Sequence, residues 1–224
     1  MSFRLLVFDW DGTLMDSEAR IVGCIRAAIE DLGAEPRDDS SIRNIIGLGL
    51  REAIEVLYPQ ADDALRERLA QRYRDHYLGS SGIPSQLFPG ARDTLLDLAE
   101  RGYLLGIATG KGRQGLDRVL EDTNVRELFH ATRCATETLS KPNPEMLEQV
   151  MDELGATPEE TLMIGDTEYD MLMARNAGAA ALAVSYGVHG QERLMGHGPL
   201  GCLDDITELG DWLKARTDHG DGRT

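Results

Sequence analysis

Two carboxylates, Asp9 and Asp11, stand at the end of an apolar run near the N-terminus. In the stretch LLVFDWDGT they follow Leu5–Phe8 directly, and Gly12 allows the chain to turn after them. Side chains alternate along a strand, so both carboxylates would lie on the same side, and an unpaired buried charge is costly. A neutralising cation would explain this position. So would a reaction in which one acid is the nucleophile and the other handles the proton of the leaving group.

Further polar residues follow three later apolar runs. Thr109 and Gly110 come after LLGIA, Lys141 comes shortly after ATRCA, and Asp166 follows LMIG, with Asp170 four residues later. Carboxylates without His or Cys partners suit a hard cation such as Mg²⁺. Beside that ion, a lysine and a hydroxyl would form a receptor for a phosphoryl group.

The elements that must position these residues follow a β–α alternation. Five apolar runs are predicted to be buried strands: Leu5–Phe8, Tyr103–Ala108, Ala131–Ala135, Thr161–Ile164 and Ala180–Val184. Helical patterns between the later runs cover Ala91–Arg101, Pro144–Leu154 and Glu168–Ala177. Such alternation is typical of an α/β fold with a doubly wound parallel sheet, whose ligands bind at the carboxyl ends of the strands. The candidate residues would therefore meet at one edge.

A different region separates the first strand from the others. It contains three helical patterns and no convincing strand: Ile21–Leu32, Ile42–Leu57 and Leu65–Tyr77. We therefore predict an inserted all-helical cap domain, residues 16–86, and an α/β core from residues 1–15 and 87–224.

Composition limits the possible partners. The chain has 224 residues, a net charge of −16 and no basic cluster, so nucleic acid and anionic membranes are poor candidates. No apolar run approaches the ~20 residues of a membrane span, and three scattered cysteines fit a reducing compartment. We expect a cytoplasmic protein. Since only three lysines occur, each deserves a specific explanation: Lys111, Lys141 and Lys214.

The four polar motifs resemble those of a known superfamily. DWDGT, Thr109, Lys141 and GDTEYD match, in order and spacing, the motifs of the haloacid dehalogenase-like hydrolases. The insertion is similar to the helical cap of that superfamily. Among members of the superfamily, the segments FPGARDTLLDLAERGY and KPNPEML look most like those of phosphoglycolate phosphatase and its relatives. This resemblance implies a Rossmann-like core and phosphatase activity.

The resemblance also implies a role for each motif residue. Asp9 would be the nucleophile that becomes an aspartyl phosphate, and a Mg²⁺ ligand. Asp11 would protonate the leaving oxygen and then activate water, while its backbone carbonyl contacts the metal. Asp166 would ligate Mg²⁺ and Asp170 would support the site. Phosphate binding would fall to Thr109, Gly110 and Lys141.

Two positions depart from the relatives' pattern. Gly110 stands where they usually carry Asn, so an amide contact is missing, and Trp10 is bulky for a position between two catalytic acids. The expected partner is a small phosphorylated metabolite, with phosphoglycolate first and sugar phosphates and nucleoside monophosphates behind it. Substrate selection is assigned to the cap, with Arg43, Gly47 and Arg51 as candidates. We expect a monomer or a small homo-oligomer.

Other interpretations stay open at this point. Gly110–Gly115, GKGRQG, fits a dinucleotide-binding fingerprint, with Glu137 at the distance of a ribose-binding acid. A phosphoacceptor receiver module also combines acids, a Thr and a Lys, but it needs no helical insertion. Within the superfamily, Asp11 argues against a dehalogenase, and the absence of lysine from residues 16–86 argues against a phosphonate-cleaving enzyme. A phosphosugar mutase would use the same two aspartates.

Overall fold

The computed structural model describes residues 3–79 and 85–218. Its strands are β1 (Leu5–Phe8), β2 (Met15–Asp16), β3 (Gln86–Leu87), β4 (Leu104–Thr109), β5 (Ala131–Cys134), β6 (Thr161–Gly165), β7 (Ala180–Val184) and β8 (Cys202–Leu203). Its α-helices are α1 (Glu18–Asp31), α2 (Asp39–Asn44), α3 (Leu50–Leu57), α4 (Asp63–Leu78), α5 (Ala91–Glu100), α6 (Arg113–Thr123), α7 (Glu145–Leu154), α8 (Glu168–Asn176), α9 (Gln191–Met195) and α10 (Leu209–Asp218). Among the described helices, none combines the length and apolar character needed to cross a bilayer.

Six strands form one parallel sheet in the order β5-β4-β1-β6-β7-β8. β1 lies at its centre, where Phe8 pairs in register with Ile107 of β4 and Ile164 of β6. The carboxyl ends of these three strands are therefore adjacent, as the sequence predicted. The five predicted strands are present with ends shifted by at most one residue, and β8 is an additional edge strand.

The sheet is covered on both faces, because side chains alternate along each buried strand. Leu6 and Phe8 of β1 pack in one apolar core with residues of α5, α6 and α10. Leu5 and Val7 pack in the opposite core with residues of α7 and α8. This arrangement confirms the predicted doubly wound α/β fold.

Helices α1 to α4, the cap helices, lie between β2 and β3 and bury their own apolar cluster. In that cluster Ile25 and Ile29 of α1 pack with Leu69 and Tyr77 of α4. Where the chain leaves the core and returns, β2 and β3 pair antiparallel, with Met15 opposite Leu87. The insert has its own core and joins the sheet domain through this short ribbon.

The helical pattern predicted over Ile42–Leu57 is interrupted. Helix α2 ends at Asn44 and α3 begins at Leu50, with Gly47 between them at a φ of +102°. That left-handed region favours glycine, so the chain can leave the helix here at little steric cost. The interruption forms a loop, Gly47–Gly49, that contacts the α/β core. The expectation of one continuous helix was wrong.

Candidate active site

Three buried aspartates and one buried lysine meet at the carboxyl edge of the sheet. Lys141 Nζ lies 2.9 Å from Asp9 Oδ1 and 2.6 Å from Asp170 Oδ1. Carboxylate oxygens of Asp9, Asp166 and Asp170 lie within 4.8 Å of one another. All four side chains are at most 1% exposed. The structure thus brings Asp9 and Lys141 together with the Asp166–Asp170 segment, three parts of the chain that lie apart in the sequence.

Local structure explains how these acids are held. Asp9 and Asp166 follow the ends of the paired strands β1 and β6. Asp170 lies in the first turn of α8, where its Oδ2 accepts hydrogen bonds from the Thr167 amide and hydroxyl. This reciprocal cap fixes the start of the helix and leaves Asp170 Oδ1 to accept from Lys141.

Asp166 sits in a tight cradle. Its Oδ1 accepts a hydrogen bond from Thr13 Oγ1 at 2.7 Å, and its Oδ2 accepts one from the Val188 amide at 2.8 Å. A Cβ on Gly12 would lie 2.2 Å from Asp166 Oδ2, and one on Gly187 would lie 2.3 Å from Asp166 Cβ. Glycine is therefore required on both sides of this carboxylate.

The charges of the cluster do not balance within the described residues. Three carboxylates face one lysine, and Asp9 Oδ2 is buried without a hydrogen-bond partner. Burial raises the pKa of Asp9, against the opposing effect of Lys141. Burial, followed by the charges of Asp9 and Asp170, also raises the pKa of Asp166. A free carboxylate oxygen in an all-oxygen donor set with excess negative charge fits a hard divalent cation such as Mg²⁺.

Asp11 is held apart from this cluster. Lys111 Nζ donates to Asp11 Oδ1 at 2.7 Å and Oδ2 at 2.8 Å, and Ser17 Oγ donates to Oδ1 at 2.5 Å. Burial alone would lower the pKa of Lys111, but the Asp11 carboxylate and the Tyr77 hydroxyl raise it above its ordinary value. The two acids of the DWD motif therefore have different cationic partners, Lys141 for Asp9 and Lys111 for Asp11.

A pocket of about 600 Å³ lies between the cap helices and the core. Asp9, Asp11 and Thr109 line its core side. Its cap side is largely apolar, with residues of α1, α3 and α4 such as Ile21, Leu50 and Tyr77. The two acids thus face a partly apolar chamber suited to a small polar ligand.

Thr109 and Gly110 lie where β4 meets this pocket. Thr109 is fully buried, and its Oγ1 accepts a hydrogen bond from the Lys111 amide at 3.3 Å. Gly110 is in contact with the cap: a Cβ there would lie 2.4 Å from the Leu48 carbonyl oxygen and 2.6 Å from that of Gly47. A larger residue at Gly110, such as the Asn that the relatives usually carry, would collide with the loop of residues 47–49 and displace it.

The three cap candidates have different surroundings. Arg51 is exposed, lines the pocket and forms no ion pair within the part of the chain that is described. Gly47 also lines the pocket, and a Cβ on it would approach the Thr167 side chain to 3.0 Å. Arg43 is not among the described residues that line the pocket, and its guanidinium pairs with Glu18 at 2.5 Å.

Two residues without a clear sequence assignment also have defined places. The Trp10 ring is buried in the sheet core, edge-on to Phe129, while its amide donates to Asp9 Oδ1 at 2.6 Å. Its bulk therefore points away from the pocket.

His189 Nδ1 accepts a hydrogen bond from the Glu168 amide at 3.0 Å, which ties it to the start of α8.

Sequence reasoning missed the residues that surround Asp11. Lys111 attracted notice as a rare lysine but received no role, and Ser17 and Tyr77 received none. Tyr77 belongs to the periodic apolar pattern of α4, yet its hydroxyl accepts a hydrogen bond from Lys111 Nζ at 2.6 Å. The scarcity of lysine was the one usable signal.

Comparison with known proteins defines the class of this fold and site. The family model described as haloacid dehalogenase-like hydrolase matches residues 6–184. The match covers most of the chain, including the DWD motif, Thr109, Lys141 and both later aspartates. The chain belongs to the haloacid dehalogenase-like hydrolase family.

Individual relatives narrow the class. The protein named Probable phosphatase IndB from Dickeya dadantii is 34% identical over 211 residues, which cover 92% of this chain and 91% of the relative. A phosphoglycolate phosphatase from Rhodospirillum rubrum is 27% identical, and the match covers 97% of this chain and 94% of the relative. The crystal structure of a haloacid dehalogenase-like hydrolase from Bacteroides fragilis superposes with a TM-score of 0.87 at 29% identity. The superposition covers 93% of this chain and 100% of the other.

The chain is thus a phosphatase of this family, a phosphoric monoester hydrolase related to the phosphoglycolate phosphatases. Family membership sets aside the receiver and dinucleotide-binding interpretations. The structure adds a reason against the second of these, because Glu137 pairs with Arg113 at 2.8 Å and is not free to bind a ribose.

The contact at Gly110 leads to a first prediction. In Gly110→Ala the added Cβ would meet backbone oxygens of the loop, so we expect the loop to move and the hydrogen bond from the Gly49 amide to Ser140 Oγ, 2.7 Å here, to break. Hydrogen exchange should then show lost protection in peptides covering residues 45–53. Overpacking of this kind typically costs about 1–3 kcal/mol.

Gly115→Ala is the matched control, because the nearest atom that its Cβ would meet in the described part of the chain is a Tyr77 ring atom at 4.0 Å. It should keep the exchange pattern of the unmodified protein. Equal protection of residues 45–53 in both variants would show that the loop does not rest on Gly110 in solution.

Proposed function

We propose that this protein is a Mg²⁺-dependent phosphatase that hydrolyses a small phosphomonoester through an aspartyl phosphate at Asp9. The observation that best supports this proposal is the buried cluster around Asp9, in which Lys141 binds one carboxylate oxygen and the other has no hydrogen-bond partner among the described residues. A carboxylate with one oxygen fixed and one free is suited to nucleophilic attack.

The residues present fit a bound Mg²⁺. Asp9 and Asp166 would hold it with their carboxylates, the Asp11 backbone carbonyl would contribute, and Asp170 would support the site. When bound, the ion would neutralise the acids and the negative charge of the phosphoryl group.

In the first half-reaction Asp9 attacks phosphorus, and the bond from phosphorus to the leaving oxygen breaks. Asp11 donates the proton that this oxygen needs to leave as an alcohol. Lys141, Thr109 and Gly110 hold the phosphoryl group during transfer, with Lys141 also keeping Asp9 in line.

In the second half-reaction Asp11, now a carboxylate, takes a proton from water as the water oxygen attacks phosphorus. The bond to Asp9 breaks, inorganic phosphate leaves, and Asp9 is restored as a carboxylate. A phosphosugar mutase would share the first half-reaction and differ only in how long the aspartyl phosphate survives water.

We propose that residues 16–86 act as the cap over a core of residues 1–15 and 87–224. Closure of the cap would exclude bulk water and select the substrate. Arg51 and Gly47 line the pocket and are the better-placed selection candidates, whereas Arg43 is paired with Glu18. Phosphoglycolate is the first substrate candidate, by similarity to relatives so named. A cytoplasmic location and a monomer or small homo-oligomer stay predictions from the sequence.

Phosphate release from a panel of phosphomonoesters tests this function. The panel contains phosphoglycolate, sugar phosphates, nucleoside monophosphates and p-nitrophenyl phosphate, each with Mg²⁺ and with EDTA. We expect release with Mg²⁺ and its loss with EDTA, followed by recovery when excess Mg²⁺ is restored. A strong preference for phosphoglycolate would support the substrate assignment.

Other outcomes have distinct meanings. Release from many sugar phosphates would keep the chemistry and replace phosphoglycolate by a broad substrate range. Full activity in EDTA would contradict the metal requirement. Failure to release phosphate from any ester, by protein shown to be folded, would contradict the proposed phosphatase and favour the mutase.

A further inference from the structure

Lys111 is a buried cation that the proposed mechanism does not use. It lies two residues after the end of β4 and is 8% exposed. Its ammonium group contacts both oxygens of Asp11, at 2.7 and 2.8 Å, and the Tyr77 hydroxyl at 2.6 Å. It also lies 4.6 Å from the centroid of the Tyr77 ring. The three protons of the ammonium group are therefore aimed at acceptors the protein itself supplies.

These contacts connect three parts of the molecule. Lys111 and Asp11 belong to core loops, whereas Tyr77 lies in the last turn of cap helix α4. Ser17, which donates to Asp11 Oδ1, is the residue immediately before cap helix α1. The Asp11 carboxylate is thus contacted directly by Lys111 and Ser17, and it is connected to cap helix α4 through Lys111 and Tyr77.

We propose that Lys111 is a positioning residue that orients the Asp11 carboxylate toward the leaving group and, through Tyr77, makes this orientation depend on the position of cap helix α4. The proposal deepens the proposed function and rests on it. When the cap is in place, Tyr77 holds the ammonium group, the ammonium group holds Asp11, and the acid faces the pocket that both residues line.

A direct substrate contact is the competing role for Lys111, since it also lines the pocket. The geometry favours positioning, because the ammonium group is already engaged by Asp11 and Tyr77. Binding an anion of the substrate would require it to give up one of these contacts. The two roles differ in which substrates they affect, so kinetics can separate them.

The test compares kcat/KM for two esters with different leaving groups. An alkyl ester, phosphoglycolate or the best alkyl substrate of the panel, needs a proton from Asp11 to release its alkoxide, whereas p-nitrophenyl phosphate releases a stable anion. Lys111→Met should lower kcat/KM for the alkyl ester by about 10- to 100-fold, which is part of the rate enhancement that a general acid typically contributes. For p-nitrophenyl phosphate the loss should stay below about threefold, because little protonation is needed.

Two milder variants keep the test valid if Lys111→Met folds poorly. Tyr77→Phe removes only the hydroxyl and should shift the alkyl-to-aryl ratio in the same direction by a smaller factor. Lys111→Arg keeps the charge and should recover part of the loss. In an Asp11→Asn background, Lys111→Met should cause no further loss for the alkyl ester, since the group it orients is gone.

Three outcomes would overturn the inference. An equal loss with both esters would assign Lys111 to phosphate binding or to the fold. An undiminished additional loss in the Asp11→Asn background would assign it to the substrate directly. An unchanged ratio in every variant would leave it without a role in the reaction. Unmodified protein that hydrolyses none of the esters would instead overturn the proposed function, and this inference with it.

Discussion

Asp9→Asn is expected to abolish phosphate release while leaving the fold intact. Asparagine has nearly the same shape and can still accept a hydrogen bond from Lys141, but its amide does not attack phosphorus. The contact between Lys141 and Asp170, 2.6 Å, does not depend on Asp9. Loss of a covalent nucleophile typically lowers kcat by about 10⁴- to 10⁶-fold. Steady-state phosphate release measures this loss.

The same variant should change how Mg²⁺ affects stability. Burial raises the pKa of Asp9, which means that its charged form is disfavoured in the folded, metal-free protein. Removing that charge should leave metal-free Asp9→Asn at least as stable as the unmodified protein. The rise in melting temperature that Mg²⁺ causes should be larger in the unmodified protein, because a ligand stabilises the state that binds it.

Asp16→Asn is the matched control for these measurements. Asp16 is exposed in β2, and the substitution is chemically identical. It should keep both the activity and the Mg²⁺-dependent rise in melting temperature. Normal turnover by Asp9→Asn would contradict Asp9 as the nucleophile, and an unfolded variant would contradict the independence of the Lys141–Asp170 pair.

Asp11→Asn is expected to bind phosphate normally and to lose most of its turnover. Asn cannot donate the proton to the leaving oxygen or accept one from water, and general acid–base catalysis typically contributes about 10²- to 10⁴-fold. Phosphate affinity should be retained because Asp11 lies outside the cluster formed by Asp9, Asp166 and Asp170. Product inhibition by phosphate and kcat, measured on the same protein, separate the two effects.

The loss in Asp11→Asn should be larger for alkyl esters than for p-nitrophenyl phosphate when kcat/KM is compared. With Asp16→Asn as the control, a general effect of removing one negative charge is excluded. Steady-state rates that stay unchanged would remove Asp11 from the acid–base role. A weakened phosphate affinity with normal kcat would move it to substrate binding.

Apolar runs were sufficient to predict five of the six strands in the parallel sheet. The buried strands are continuous apolar runs that end at polar residues, and parallel pairing then brings Asp9, Thr109 and Asp166 to one edge. β8 was missed because two residues, Cys202 and Leu203, give no pattern. The break between α2 and α3 was missed because the helical period continues across the loop, which packs closely against Gly110 in the structure.

The candidate site was predictable where motif residues follow strands, and unpredictable where contacts depend on the insert. Asp9 and Asp166 follow the paired strands β1 and β6, so the topology brings them close. The Lys111–Tyr77 contact depends on how α4 packs over the core, which no local pattern records. Arg43 was one candidate for substrate selection, and its pairing with Glu18 depends on how α1 and α2 pack, which the sequence does not show.

Trapping the covalent intermediate shows directly whether Asp9 is the residue that becomes phosphorylated. Asp11→Asn is mixed with p-nitrophenyl phosphate and Mg²⁺, quenched in acid and mapped by mass spectrometry. The aryl ester can phosphorylate Asp9 without a general acid, while loss of the base delays hydrolysis of the product. We expect one phosphoryl group on the peptide that contains Asp9, and no phosphoryl group when EDTA is present. A phosphoryl group on another residue, or nitrophenolate release without any labelled peptide, would contradict this expectation.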